Sequence, residues 1–216
     1  MLGRIQWSRE RNIRLESERL LDLQVLKLSL PERMRGQERR ARKGARLLAG
    51  HRVTRVLTPP DFPLWPLLQE QGLRPVDTQA LRCALACAWV RAALAARGIR
   101  PENAVLRLEG PRESAGMAQM AWKLCPLVRN LVIDVPGGGM IAARLRQEAG
   151  LPILPARSAR ADLTLRFDDG PVLTGAGYAL AGAVLPADCE TLPLLSALWE
   201  CGRIRAEKIT IQINFP

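Results

Sequence analysis

The sequence predicts an α/β fold, a mostly parallel sheet with flanking helices, preceded by a basic helical amino-terminal arm. Three observations carry this. An apolar run, Ala104 to Leu108, is followed by a glycine-bearing turn from Glu109 to Gly116, a helical run from Met117 to Val128 and a second strand from Asn130 to Val135. The pattern then repeats with a turn at Gly137, Gly138 and Gly139, a helix to Ala149, a short strand Pro152 to Leu154 and another from Ala161 to Phe167. Crossovers of this length join parallel neighbours, which a tight hairpin cannot do. Lastly, residues 1–50 hold 13 basic and 6 acidic side chains, so they carry +7 of the net charge of +11. The expected division is therefore a basic arm over residues 1–50 and an α/β domain over residues 51–216.

Taken in order, residues 5–30 mix apolar and charged positions at helical spacing. Ile13, Leu20, Leu21 and Leu28 fall near one face, and Arg9, Glu10, Arg14, Glu16, Glu18 and Arg19 populate the others. Leu15, Leu23, Val25 and Leu26 widen the apolar surface, so such a helix needs cover from the body, from a second copy in a homo-oligomer or from another protein. Pro31 ends it. A second helix is expected from Arg33 to Leu48, with Arg35, Arg39, Arg42 and Arg46 at offsets of four, three and four and with Arg40 and Lys43 alongside. That stripe is the residue set for a nucleic-acid contact, since cations along a phosphate backbone release counterions. The plainer reading is a solvated face, because no aromatic platform, zinc pattern or helix-turn-helix accompanies it.

His51 to Leu57 alternates like a strand and stops at Pro59 and Pro60. His51 is the single histidine and is read as structural. Leu64 to Gln71 forms a short helix closed by Gly72, and Arg74 to Val76 a brief extended piece. A long helix from Gln79 to Arg97 buries Leu81, Leu85, Ala88 and Ala92 and stops at Gly98. Beyond Phe167, the small residues from Thr174 to Ala183 permit close packing or a loop over the sheet edge, with Tyr178 in a packing role. Thr191 to Trp199 is helical, and Glu207 to Phe215 alternates so that Ile209, Ile211, Ile213 and Phe215 share one face.

Composition excludes several classes. A hydrophobic fraction of 48% and a charged fraction of 25% match globular usage. No uninterrupted apolar run spans a bilayer and the first residues lack a signal-peptide core, so the expected setting is the cytoplasm without membrane contact. Five scattered cysteines are read as reduced thiols. Cys83 and Cys87 lie one helical turn apart, but no second pair completes a metal site, so none is expected.

The candidate site lies after the first of the parallel strands. Gly110 and Gly116 bracket a turn with Ser114 between them, an arrangement that lets a phosphate meet bare backbone and the amides of the next helix. The spacing is G-x-x-x-x-x-G, and Arg112 stands where the usual G-x-G-x-x-G has its middle glycine. Asp134 ends the second strand 24 residues beyond Gly110, the place of an acid that meets ribose hydroxyls. Gly137, Gly138 and Gly139 open the following helix and form a second candidate anion turn.

Over about 65 residues, from Val105 to Phe167, this succession resembles the NAD(P)-binding Rossmann-fold proteins, especially the carboxyl-terminal half of shikimate-dehydrogenase-like enzymes. The resemblance implies NAD or NADP as cofactor, with Gly110, Ser114 and Gly116 at the phosphates and Asp134 at the ribose. It also implies a substrate domain supplying a lysine and an aspartate, for which residues 1–100 hold no matching segment. The leading expectation is a degenerate nucleotide site in a regulatory or assembly protein. An NAD(P)-dependent oxidoreductase and a nucleic-acid-binding protein are the alternatives.

Overall fold

The structure, a computed structural model, describes residues 1–32, 36–150, 153–156 and 160–213. The chain forms two compact units, Met1–Thr78 with Leu180–Lys208, and Gln79–Ala179 with Ile209–Pro216. In chain order the first unit opens with β1 (Leu2–Ser8), β2 (Arg14–Leu20), β3 (Leu23–Pro31), α1 (Gln37–Gly50), β4 (Arg55–Leu57), α2 (Trp65–Gln69) and β5 (Arg74–Pro75). The second holds α3 (Gln79–Ala96), β6 (Val105–Glu109), α4 (Ala115–Leu124), β7 (Asn130–Asp134), α5 (Gly139–Ala149), β8 (Ile153–Leu154), β9 (Leu163–Phe167), β10 (Pro171–Val172) and β11 (Ala176–Leu180). The chain then returns to the first unit with α6 (Thr191–Glu200) and closes with β12 (Ile209–Ile213), the partner of β11. The whole is a mixed α/β protein with two mostly parallel sheets.

The first sheet runs β2-β3-β1-β4-β5, with β2 antiparallel and the others parallel. Its register aligns Ile5 with Leu28 and Trp7 with Leu30, so these side chains share one face. That face packs with Ala41, Ala45 and Leu48 of α1 and with Leu67 and Leu68 of α2. Gly44 lets α1 approach closely, since a Cβ there would sit 2.7 Å from Leu28 Cδ2. Trp7 stacks on Phe62 at 5.4 Å, and Trp65 meets the same ring edge-on.

These strands replace the expected helical arm. Residues 5–30 are not a helix, and residue 50 is no boundary, because β1 pairs with β4 beyond it. The turn between β2 and β3 hid the hairpin. Leu21 and Asp22 both take positive φ, 44° and 67°, the two-residue connection for which glycine or asparagine is the usual signal. Ile5, Leu28 and Leu30 turn onto α1 and α2, with Ile13, Leu15 and Leu26 partly buried against the same cluster. The second helix is real but starts later, at Gln37, and Arg35 lies outside the described residues.

The second sheet runs β10-β9-β6-β7-β8, with only β10 antiparallel. The expected strands are therefore adjacent: β6 pairs with β7 from Val105↔Asn130 to Glu109↔Asp134. From β6 the chain steps to β7 and β8 on one side and returns to β9 on the other. In open α/β sheets such a reversal leaves a crevice at the carboxyl ends of the strands. Helix α3 is long and apolar enough in composition to cross a membrane, with mean hydropathy 1.2 over 18 residues. It nevertheless buries Leu81, Leu85, Trp89, Val90 and Leu94 and packs with β9, β10, β12 and α4 as a core helix of its unit. Residues Thr174 to Ala183 supply β11 rather than a loop, and Ile209, Ile211 and Ile213 turn to the covered side of β12, while Phe215 lies outside the described residues.

Candidate functional site

The carboxyl edge of the second sheet brings the expected residues together. Gly110 follows β6 and donates its amide to the Asp134 carbonyl at 3.4 Å, placing the turn beside the end of β7. Ser114 caps α4, its Oγ accepting the Met117 amide at 3.1 Å. Gly137 takes a left-handed φ of 79°, and Gly138 and Gly139 open α5.

Several of these residues are nonetheless engaged in holding the fold. A Cβ on Gly110 would lie 2.9 Å from Met117 Cε and 3.0 Å from the Phe167 carbonyl oxygen, so glycine is there because α4 and β9 press against it. Gly116 sits exposed inside α4, where a Cβ would meet nothing nearer than Ser114 Oγ at 4.0 Å. A phosphate turn has no need of glycine at such a place. Gly138 is likewise filled by its surroundings, since a Cβ would come within 2.7 Å of Val135 Cγ2.

The polar groups tell the same story. Asp134 Oδ2 accepts from Arg107 Nη1 at 3.0 Å, and Arg107 Nη2 reaches the Ala156 carbonyl at 3.3 Å. The carboxylate expected at a ribose is thus ion-paired within its own sheet while its side chain stays partly exposed. Glu113 Oε2 lies 3.9 Å from where a Cβ of Gly137 would be, placing a carboxylate beside the amides that open α5. A like charge there disfavours a phosphate.

The cleft at the reversal point between β6 and β9 is small, about 140 Å³, and is lined by Arg112, Ser114, Gly116, Asp168, Asp169 and Gln79 among others. Pockets for drug-sized ligands usually measure roughly 300–1,000 Å³. Gln79, the first residue of α3, closes it by donating through Nε2 to the Asp169 carbonyl, and a Cβ on Gly170 would lie 2.8 Å from Gln79 Cγ. Asp168, Asp169 and Gln79 were not singled out in the sequence. Their signal was the Asp-Asp-Gly run after β9, whose place at the mouth depends on strand order.

The arginine stripe divides. Arg42 pairs with Glu70, the residue after α2, at 3.4 Å and Arg46 is exposed. Arg39, with Arg40 and Lys43, instead lines a cleft of about 870 Å³ together with Arg11, Asn12, Ile13, Gly36 and Leu47. A third charged group is internal. Arg4 of β1 is 4% exposed and donates to Glu18 at 2.9 Å and to both oxygens of Asp188 at 2.8 Å. The neighbouring Cys189 is buried, which pushes its thiol up to about 12 against the opposing pull of Arg4. Burial also raises Glu190, opposed by its hydrogen bond with Thr58.

His51 follows α1 on the surface, and Tyr178 lies on β11, where burial raises its hydroxyl against the pull of Arg82. Among the described residues no three His, Cys, Asp or Glu side chains gather as a metal site requires. No protein-family model matches the chain, and no curated protein matches it.

Proposed function

We propose that the second unit is a Rossmann-like domain, akin to half of a shikimate-dehydrogenase-like enzyme, whose dinucleotide site is degenerate. On this reading the protein acts in regulation or assembly and does not turn over NAD or NADP. The support is the strand order with its reversal at β6, joined to the fate of the site residues. The observation that carries it is Asp134, positioned for a ribose but held by Arg107. The small size of the cleft and the acids Glu113, Asp168 and Asp169 at the same edge point the same way. The five thiols, none bonded to another, fit a reducing cytoplasmic setting.

Thermal unfolding with NAD, NADP and S-adenosylmethionine tests the reading, because a ligand held only by the native state raises Tm by mass action. The expected result is no rise, or one that Asp134→Ala and Ser114→Ala leave intact. A rise that both substitutions abolish would overturn it.

A further inference from the structure

We propose that the basic cleft of the first unit binds an oligophosphate, a run of linked phosphates carried by a nucleotide or by an inorganic chain. This site is separate from the one discussed above and does not rest on its interpretation. The cleft, about 870 Å³, lies in the size range of small-ligand pockets. One wall is the β1–β2 connection at Arg11, Asn12 and Ile13, and the other is the entry and flank of α1 from Gly36 to Leu47. Both leave the carboxyl ends of the parallel strands β1 and β3, the edge at which α/β sheets hold ligands.

The chemistry is cationic. Arg11, Arg39, Arg40 and Lys43 line the cleft and, among the described residues, no acid does. Glu38, in the first turn of α1, is exposed and outside the lining. Several other arginines of the unit are ion-paired: Arg14 with Glu10, Arg19 with Asp22 and Arg42 with Glu70. Arg11, Arg39 and Lys43 have no ion pair among the described residues. Arg39 and Lys43 stand one turn apart, where like charges oppose the helix, and an anion between them removes that repulsion. Gly36, in the left-handed region at φ 74°, gives α1 no side-chain cap, leaving the amides of its first turn to an incoming phosphate.

Convergence in a concavity distinguishes this from a nucleic-acid track. Arg42 is paired and Arg46 is not part of the lining, so α1 offers no continuous row of cations to follow a backbone. Among the described residues no aromatic ring lines the cleft for base stacking either. Adjacent phosphates match clustered guanidinium and ammonium groups better, while Ile13 and Leu47 supply a small apolar surface.

Isothermal titration of the full chain with inorganic tripolyphosphate, with ATP and with a short single-stranded oligonucleotide tests the proposal. Tripolyphosphate and ATP are expected to bind saturably. Arg39→Glu and Lys43→Glu should each weaken them at least about tenfold, and Arg39→Gln several-fold, while Arg46→Glu, with the same charge change outside the cleft, alters them less than about twofold. Tighter binding of ATP than of tripolyphosphate would identify a nucleotide, and equal binding a bare phosphate chain; both support the site. Absence of saturable binding, equal losses in all the charge-reversal variants, or an oligonucleotide that binds tightest and is weakened as much by Arg46→Glu would overturn it.

Discussion

Arg107 and Asp134 stand on neighbouring parallel strands, and the 3.0 Å bond from Nη1 to Oδ2 ties the second strand's terminal carboxylate to the first. Arg107 is 25% exposed at its side chain and Asp134 39%, so the pair is partly screened by solvent. A double-mutant cycle with Arg107→Met and Asp134→Asn, followed by urea unfolding, should give a coupling near 0.5–1 kcal/mol. A coupling indistinguishable from zero would mean that Asp134 is available to a ligand.

The glycines differ in why they are glycines. Gly110→Ala should destabilise by about 1–3 kcal/mol, because the added methyl meets Met117 and the Phe167 backbone. Gly116→Ala, on the exposed side of α4, should stabilise by up to about 1 kcal/mol. Ser114→Ala removes a cap and should cost about 1 kcal/mol. Midpoints of urea unfolding decide the order, and equal losses at both glycines would restore a phosphate-turn interpretation.

Arg4 predicts an asymmetry in the first unit. Asp188→Ala leaves a buried guanidinium with Glu18 as its carboxylate partner and should cost about 2 kcal/mol. Arg4→Met removes the charge while keeping much of the volume, and the freed carboxylates are exposed enough to hydrate, so it should cost less. Urea unfolding showing the reverse ranking would contradict this account of the cluster.

Thiol chemistry offers a pH test. Cys189 is 2% exposed with a pKa pushed up to about 12, whereas Cys201 is exposed. Iodoacetamide at mildly alkaline pH should label Cys201 and spare Cys189 in the native protein. Because the folded pKa of Cys189 is raised above the ordinary 9.0, the folded state holds its proton longer than the unfolded one. Its contribution is therefore fully present below pH 9 and is lost as pH climbs toward 12. Cys189→Ala should flatten the stability curve across that window, and an unchanged slope would refute the assignment.

Legibility in the sequence followed the strength of local signals. The succession from β6 to β9 could be read because each strand is a short apolar block bounded by glycine or proline turns, and the crossover lengths imply parallel pairing. The β2–β3 hairpin could not, since Leu21 and Asp22 occupy a turn whose positive φ values usually announce themselves as glycine or asparagine. In β3, Leu26, Leu28 and Leu30 do alternate with Lys27 and Ser29, but the charges of the preceding segment also fit helical spacing. At the site, positions were legible and partners were not. That Asp134 would meet Arg107 depends on side-chain direction across a strand pair, and that Arg39 would leave Arg42 for Arg11 depends on where a misread loop runs.

The most direct test of the central claim is an amide-resolved NMR titration with NAD to about 1 mM, a concentration that detects binding free energies near −4 kcal/mol. The account predicts that the amides of Gly110 and of residues 112–117 and 137–140 stay in place, with any saturable shifts confined to the basic cleft around residues 36–47. Saturable movement of both glycine turns together would contradict it and establish a working dinucleotide site.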